Sequence, residues 1–143
     1  MTIAVGSDHG GFALKTAVIA HLKGRGYEVL DMGTHSEESV DYPIYGQKTA
    51  EAVAEGKADL GVVCCGTGIG IGIAANKVHG IRCATITNEY MAEMTKRHNN
   101  ANMIALGGRI LETELALKLV DIWLDTEFEG GRHQRRVDML DAM

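Results

Sequence analysis

Short apolar segments alternate along the chain with longer segments in which apolar residues recur at helical spacing. Runs rich in Val, Ile and Ala predict five buried strands, at Thr2–Gly6, Glu28–Asp31, Asp59–Cys64, Arg82–Thr87 and Met103–Leu106. Helical spacing predicts five helices, at Gly11–Lys23, Ile44–Glu55, Gly72–Val78, Glu89–His98 and Glu112–Leu124. Because strand and helix alternate with short connections, we expect an α/β fold, a five-stranded parallel sheet with helices on both faces.

The chain is predicted to form one domain over residues 1–143, since no repeat, low-complexity segment or linker divides it. Its only proline, Pro43, stands where it would open the second helix, a position that proline tolerates. The C-terminal segment, residues 130–143, departs from the strand–helix pattern. It starts with a hinge-like glycine pair and continues with clustered basic residues, Arg132, Arg135 and Arg136.

A glycine-rich stretch from Cys65 to Gly72 follows the third predicted strand and carries four alternating glycines. Glycine adopts backbone conformations that other residues avoid, so such a loop can point several N–H groups at one spot. The helix that follows adds the partial positive charge of its N-terminus. The loop is therefore suited to an anion, either a bound phosphate or an oxyanion that forms during a reaction. The thiol of Cys65 favours the second use, because a phosphate cradle needs no cysteine.

Three polar loops follow predicted strands: Ser7–Gly11 after the first, the Cys65 loop after the third and Gly107–Arg109 after the fifth. In open parallel sheets, ligands bind beyond the carboxyl ends of the strands, where the strand order reverses. A fourth polar segment, His98–Asn100, closes the fourth helix just before the fifth strand. The pattern allows all four segments to converge, but periodicity by itself does not bring them together.

The amino-acid composition and net charge indicate which classes of protein are disfavoured. The hydrophobic fraction of 45% and the charged fraction of 23% are those of an ordinary globular domain. A net charge of −5 disfavours a general surface for nucleic acid or for an anionic membrane. No apolar run approaches the length of a membrane span, and the chain starts directly in a strand without a secretory signal. We therefore expect a cytoplasmic protein whose three cysteines are reduced thiols.

Several candidate residues have structural alternatives to a functional role. Neighbours in a strand point to opposite faces, so Cys64 is expected to be a buried packing residue and Cys65 to differ from it. Asp8 can cap the first helix, and His98 can interact with the dipole at the end of the fourth. The basic C-terminal cluster can be an exposed charged face. The six histidines have no metal-ligand spacing, so we expect no metal site.

Six motifs follow one another along the chain, at Gly6–Gly11, Asp41–Pro43, Cys65–Gly70, Ala74–Lys77, Arg97–Asn99 and Glu129–His133. Together they resemble the type B ribose-5-phosphate isomerases, whose family also includes galactose-6-phosphate and allose-6-phosphate isomerases. Each motif is weak alone, but the ordered set is specific and spans nearly the whole chain. The resemblance implies a three-layer Rossmann-like fold, a homodimer or dimer of dimers, and conversion of an aldose phosphate to a ketose phosphate without a metal or other cofactor.

The resemblance also implies a role for each matching residue. Cys65 is the base that moves a proton between adjacent sugar carbons, His98 opens the furanose ring, and Asp8 handles hydroxyl protons. Thr67 is a polar neighbour of Cys65, and Asn99 binds sugar hydroxyls. The enediolate oxygens and the sugar are held along the glycine loop by Gly66, Thr67, Gly68, Ile69 and Gly70. The phosphate is held by His9, Arg109, Arg132 and Arg136.

Two further features follow from the resemblance. One branch of the family uses a glutamate further along the glycine loop as base, and the matching position here is the apolar Ile71, so this chain resembles the cysteine branch.

Active sites in the family are shared between two subunits. The residues expected to face the Asp8–Cys65 half of a partner are His98, Asn99, Arg109, Arg132 and Arg136.

Other functions fit parts of the pattern. Gly70–Ala75 matches a dinucleotide-binding GxGxxA, but it follows the third strand and leaves little room for a second nucleotide-binding half. A sugar-phosphate sensor without activity would need the arginines and the glycine loop but neither Cys65 nor His98. A phosphoacceptor receiver would need an aspartate where Cys65 stands. Within the enzyme hypothesis, D-ribose 5-phosphate is the expected substrate and a hexose 6-phosphate is the alternative.

Overall fold

Five parallel strands form a single sheet in the order β2-β1-β3-β5-β4. A computed structural model describes all 143 residues. The strands are β1 Thr2–Ser7, β2 Glu28–Asp31, β3 Leu60–Cys65, β4 Cys83–Thr85 and β5 Met103–Gly107. The predicted number and direction of the strands are confirmed. β4 is shorter than the predicted Arg82–Thr87, and at its start the Arg82 N–H donates to the Asn102 side chain, at 2.8 Å, rather than to a strand.

Helices connect the strands and cover both faces of the sheet. A short 3₁₀ turn, His9–Gly11, follows β1. The α-helices are α1 Phe12–Gly24, α2 Tyr42–Ala54, α3 Ile69–Asn76, α4 Glu89–Asn99, α5 Thr113–Asp125 and α6 Arg132–Asp141. Pro43 lies in the first turn of α2, as predicted. None of the helices combines the length and the apolar character needed to cross a membrane.

Two hydrophobic clusters fill the space between the sheet and its helices. On one face, α1, α4 and α5 cover a cluster that includes Val62 of β3 and the fully buried Trp123. On the other face, α2 and α3 cover a smaller cluster that includes Val63 and Ile71. Successive β3 residues therefore point to opposite clusters, as the two-residue period of a strand requires. The three-layer arrangement expected from the sequence is confirmed.

Helix α3 begins at Ile69 and not at Gly72, where the sequence predicted it. Gly68 has a φ of 81°, a left-handed conformation that favours glycine, and it turns the chain directly into the helix. Glycine has a low helix propensity, which is why the pattern assigned the following glycines to the loop. Close packing explains why glycine stands inside the helix, because a Cβ on Gly72 would lie only 2.9 Å from Thr85 Oγ1.

Helix α6 occupies the segment that the sequence predicted to be a basic extension outside the strand–helix pattern. Only His133 and Val137 are buried along it, so its apolar stripe is too narrow to be recognised from spacing. Near its end, Arg82 Nη1 donates to Asp141 Oδ1 at 2.6 Å. The basic segment is therefore a helix docked on the domain, beside the end of α4.

Candidate active site

The glycine-rich loop and the Asp8 loop lie side by side at the carboxyl edge of the sheet. The chain passes from β1 to β2 on one side and then to β3 on the other, so the strand order reverses between β1 and β3. The Asp8 N–H donates to Cys64 O at 3.2 Å. A Cβ on Gly11 would lie 2.3 Å from the same oxygen. Polar residues of both loops therefore face one point, as expected for a ligand site in a parallel sheet.

Cys65 ends β3 with its side chain almost fully buried, on the face covered by α2 and α3. Its Sγ accepts a hydrogen bond from the Gly68 N–H at 3.1 Å. A backbone donor at the start of a helix stabilises a thiolate relative to a thiol. Cys64 points to the opposite cluster and is fully buried, and burial raises the pKa of its thiol well above the ordinary value. The two neighbouring cysteines thus differ as predicted, one beside a loop and one in the core.

The glycine loop offers a small set of unpaired N–H donors. The Ile69 N–H donates to Thr67 Oγ1 at 3.2 Å, and the Gly68 N–H is held by the Cys65 sulfur. The N–H groups with no partner within the chain belong to Gly66, Thr67, Gly70 and Ile71. The loop therefore offers fewer free donors to an anion than the number of its residues implies. Unpaired N–H groups of this kind stabilise the negative charge that develops on an oxygen atom during a reaction.

Three polar side chains surround this cradle at the carboxyl edge. Asp8 is buried and accepts the Gly11 N–H on Oδ1 at 3.0 Å, so it caps the 3₁₀ turn His9–Gly11 and not the first α-helix, as the alternative had expected, and Oδ2 has no hydrogen bond in the chain. His9 Nδ1 accepts the Val40 N–H at 3.2 Å, which leaves the proton on Nε2 as a donor. The guanidinium of Arg109 lies beside the loops, since a Cβ on Gly66 would be 3.2 Å from its Nη1.

An ion pair between buried Lys15 and the exposed Asp31 supports the loop after β1. Lys15 is almost fully buried, and its Nζ lies 2.5 Å from Asp31 Oδ1. The same oxygen accepts the Gly33 N–H at 3.0 Å. The Gly33 carbonyl in turn accepts the Ser7 N–H at 2.7 Å. This chain of contacts connects α1 and β2 to the residue that precedes Asp8, and it restrains the position of the Asp8 carboxylate.

Tyr42 is a site residue to which the sequence assigned no role. A Cβ on Gly70 would lie 2.7 Å from Tyr42 Cε1, so the ring stands directly against the glycine loop. The side chain is exposed, and its hydroxyl can donate or accept a hydrogen bond. Its signal was present in the Asp41–Pro43 motif, but the motif suggested only a helix start.

A second polar cluster lies at the opposite, amino edge of the sheet. β5 runs from Met103 at this edge to Gly107, which pairs with Cys65 at the carboxyl edge. His98 is near the end of α4, just before β5 begins. Four residue steps along a strand separate the two edges by about 13 Å. Within one chain His98 and Asn99 therefore do not converge with the Cys65 loop, which corrects the convergence that the sequence allowed.

Arg132 and Arg136 share the amino edge with His98, whereas Arg109 does not. The His133 ring of α6 stacks on the His98 ring with centroids 4.2 Å apart, which brings the start of α6 to the end of α4. The resemblance grouped Arg109 with these residues as facing a partner. The structure corrects that grouping, since Arg109 lies beside Gly66 of its own chain.

Glu129 lies between His98 and His133, and the sequence assigned a role to neither Glu129 nor His133. Arg97 Nε donates to Glu129 Oε2 at 2.8 Å. Desolvation alone would raise the pKa of Glu129, but the Arg97 hydrogen bond and nearby positive charges hold it below its ordinary value. Burial, followed by the charges of His98 and Arg132, lowers the pKa of His133. Near neutral pH, Glu129 is therefore a carboxylate and His133 is a neutral imidazole.

Comparison with known proteins identifies relatives that match the whole chain. The sequence profile of the Ribose/Galactose Isomerase family matches residues 3–140. Ribose-5-phosphate isomerase B of Escherichia coli is 50% identical over 141 residues, which are 99% of this chain and 95% of that protein. Galactose-6-phosphate isomerase subunit LacB of Clostridium acetobutylicum is 40% identical, over 96% of this chain and 79% of that subunit.

Solved structures agree with the sequence relatives. The structure of Clostridium thermocellum ribose-5-phosphate isomerase B superimposes with a TM-score of 0.98 at 58% identity, covering 99% of this chain and 96% of that one. A match of this quality extends over every strand and helix that positions the two polar clusters. The chain belongs to the ribose/galactose isomerase family of sugar-phosphate isomerases, and its full-length relatives include ribose-5-phosphate isomerases of type B.

Proposed function

We propose that the protein interconverts D-ribose 5-phosphate and D-ribulose 5-phosphate through an enediolate. The observation that carries the proposal is a buried thiol, Cys65, beside four unpaired N–H groups in the glycine loop and the first turn of α3. Isomerisation needs one base next to one site for a developing oxyanion. The names of the full-length relatives support the pentose phosphate as substrate.

The reaction is a transfer of one proton between adjacent carbons. In the open-chain aldose, the Cys65 thiolate removes the proton from carbon 2, and the electron pair of that bond forms the enediolate. The N–H groups of Gly66, Thr67 and Gly70 stabilise its negative oxygens, each donor being worth about 10²–10³-fold in rate. The thiol then returns the proton to carbon 1, which leaves the ketose. The free Oδ2 of Asp8 moves the hydroxyl proton between the two oxygens.

The proposed active site is shared by two copies of the chain. Cys65, Asp8 and the Arg109 guanidinium lie at the carboxyl edge, while His98, Asn99 and the α6 arginines lie at the amino edge. A C2 dimer that brings the amino edge of one copy to the carboxyl edge of the other builds two identical sites. In these sites His98 opens the furanose ring, and the phosphate is bound by His9, Arg109, Arg132 and Arg136.

The substrate is tested by comparing aldose phosphates for ketose formation, ranked by kcat/KM. The proposal expects D-ribose 5-phosphate to rank first. A hexose 6-phosphate is the second candidate, favoured by the galactose-6-phosphate isomerase subunit among the relatives. A higher kcat/KM for allose 6-phosphate or galactose 6-phosphate would make that hexose phosphate the substrate in place of ribose 5-phosphate. Binding of sugar phosphates without any ketose product would instead favour a sensor that is not an enzyme.

Activity is expected to survive exhaustive treatment with EDTA. The thiolate, the N–H cradle and the arginines supply base, oxyanion site and phosphate anchor without a Lewis acid. The measurement is kcat and KM for ribose 5-phosphate before and after chelation and gel filtration. Loss of turnover that Mg²⁺ or Zn²⁺ restores would contradict the metal-independent mechanism.

Replacing His98 by Asn is expected to slow ring opening more than proton transfer. D-ribulose 5-phosphate cannot close to a furanose through its carbon-5 oxygen, because that oxygen carries the phosphate. The variant should therefore lose more rate in consuming ribose 5-phosphate than in exchanging a proton of ribulose 5-phosphate with labelled water. Equal losses in the two assays would assign His98 to proton transfer or to general binding, and circular dichroism would verify the fold.

A further inference from the structure

The three side chains between α4 and α6 form a cluster that isomerisation does not require as a unit. The Glu129 carboxylate faces both rings, with Oε2 3.5 Å from His98 Nε2 and Oε1 3.7 Å from His133 Nε2. The three potential ligand atoms all lie within 4.8 Å of one another. We propose that His98, Glu129 and His133 form a site for a borderline divalent cation, best fitted by Zn²⁺, whose occupation inhibits the enzyme.

The distances are close to those that one ion requires. Zn²⁺ binds His nitrogen and carboxylate oxygen at about 2.0–2.2 Å, so two ligands of a tetrahedral ion lie about 3.3–3.6 Å apart. The two contacts of Glu129 already approach that separation. The His98 and His133 rings are stacked 4.2 Å apart at an interplanar angle of 11°, so their Nε2 lone pairs are nearly parallel, and one ring has to rotate out of the stack for both nitrogens to bind one ion. Three protein ligands leave the fourth position of a tetrahedral ion open for water, as in catalytic zinc sites.

The surroundings support the carboxylate and the choice of metal. Arg97 Nε holds Glu129 Oε2 and would remain as an outer partner that orients the ligand. Arg97, Arg132 and Arg136 supply positive charge nearby, which weakens the binding of any divalent cation, so the affinity has to come from the bonds to imidazole and carboxylate. Imidazole ligands favour Zn²⁺, Cu²⁺ or Ni²⁺ over Mg²⁺ or Ca²⁺.

Inhibition is expected because one proposed ligand, His98, is also the residue that opens the sugar ring, and this part of the proposal rests on the proposed function. A lone pair of His98 that is bonded to Zn²⁺ cannot accept or deliver the proton that opens the furanose. The ion would also fix the start of α6, which carries Arg132 and Arg136, to the end of α4. Zn²⁺ is therefore expected to inhibit consumption of ribose 5-phosphate more than proton exchange into ribulose 5-phosphate, and chelation should reverse the inhibition.

The test measures Zn²⁺ binding to EDTA-stripped protein by isothermal titration calorimetry, which needs no activity. We expect one ion per chain and an affinity at least about 10-fold weaker in both His133→Gln and Glu129→Gln, since even outer partners account for about 10–100-fold. His35→Gln, which removes a well exposed histidine, is the matched control and should keep the affinity. Circular dichroism of each variant separates loss of a ligand from loss of fold.

A Co²⁺-loaded sample distinguishes this site from capture by cysteine. We expect d–d absorption of a four-coordinate ion without a thiolate charge-transfer band. Such a band, or affinity unchanged in both His133→Gln and Glu129→Gln, would overturn the site. Tight binding at the cluster with undiminished turnover would overturn the inhibition. If stripped protein isomerises no aldose phosphate, the proposed function fails, while the calorimetry still decides whether the metal site exists.

Discussion

Cys65→Ala is expected to lower kcat by about 10²–10⁴-fold while the protein stays folded, because a positioned base contributes a factor of that size. The Cys65 thiol is the one titratable group that both borders the unpaired N–H groups and accepts a helix-start hydrogen bond. The measurement is kcat for ribose 5-phosphate at saturating substrate, together with the free energy of unfolding in urea.

Cys64→Ala is the matched control, since it removes the same buried atom from the neighbouring position. Its thiol packs in the larger cluster, away from the loop, so the change should cost about 1 kcal/mol of stability and little activity. Cys65→Ser tests the alternative that the sulfur only holds the loop, because a hydroxyl can still accept the Gly68 N–H but is a far poorer base. Equal, small losses in all three variants would remove Cys65 from its role.

Mixing Cys65→Ala with Arg136→Ala is expected to restore about a quarter of wild-type activity. The two residues lie at opposite edges of the sheet, so a shared site takes one from each chain. After random reassociation, half of the dimers are mixed, and each mixed dimer has one intact site and one doubly damaged site. The measurement is activity of the reassociated mixture, with subunit exchange verified by mass spectrometry.

The control mixture combines Cys65→Ala with Asp8→Ala. Both residues lie at the carboxyl edge, so every site of a mixed dimer lacks one of them and no activity should return. Recovery in the control would show that restoration comes from refolding or contamination. If exchange is complete and the Cys65→Ala and Arg136→Ala mixture stays as inactive as its parents, sharing of the active site is wrong.

The carboxyl half of the site could be predicted from the sequence because its determinants are local. Cys65 follows a buried apolar strand, and the two-residue period separates it from Cys64 without knowledge of the fold. Asp8 and the glycine loop both end strands, and parallel strands bring such ends together. The family motifs are contiguous in sequence, so they too are visible without coordinates.

The amino-edge cluster and the exact helix boundaries could not be predicted, because they depend on which surfaces pack against each other. Helix α6 has a narrow buried stripe, so only its docking on α4 brings His133 onto the ring of His98. His98 lies far from Glu129 and His133 in the sequence, and the three side chains come together only in the folded protein. The sequence therefore contained no recognisable spacing of metal ligands. The early start of α3 could not be predicted from the low helix propensity of glycine, because close packing against Thr85 allows only glycine at position 72.

By itself, the sequence determined the α/β class, the parallel sheet, the different surroundings of Cys64 and Cys65, and the family. These depend on periodicity, local backbone preference and contiguous motifs, which act over a few residues. Tertiary structure alone decided that His98 lies at the edge of the sheet opposite Cys65, that Arg109 stays on the Cys65 side, and that Glu129 lies between two histidines. Such positions depend on strand order and helix docking, which are set by burial summed over the whole chain.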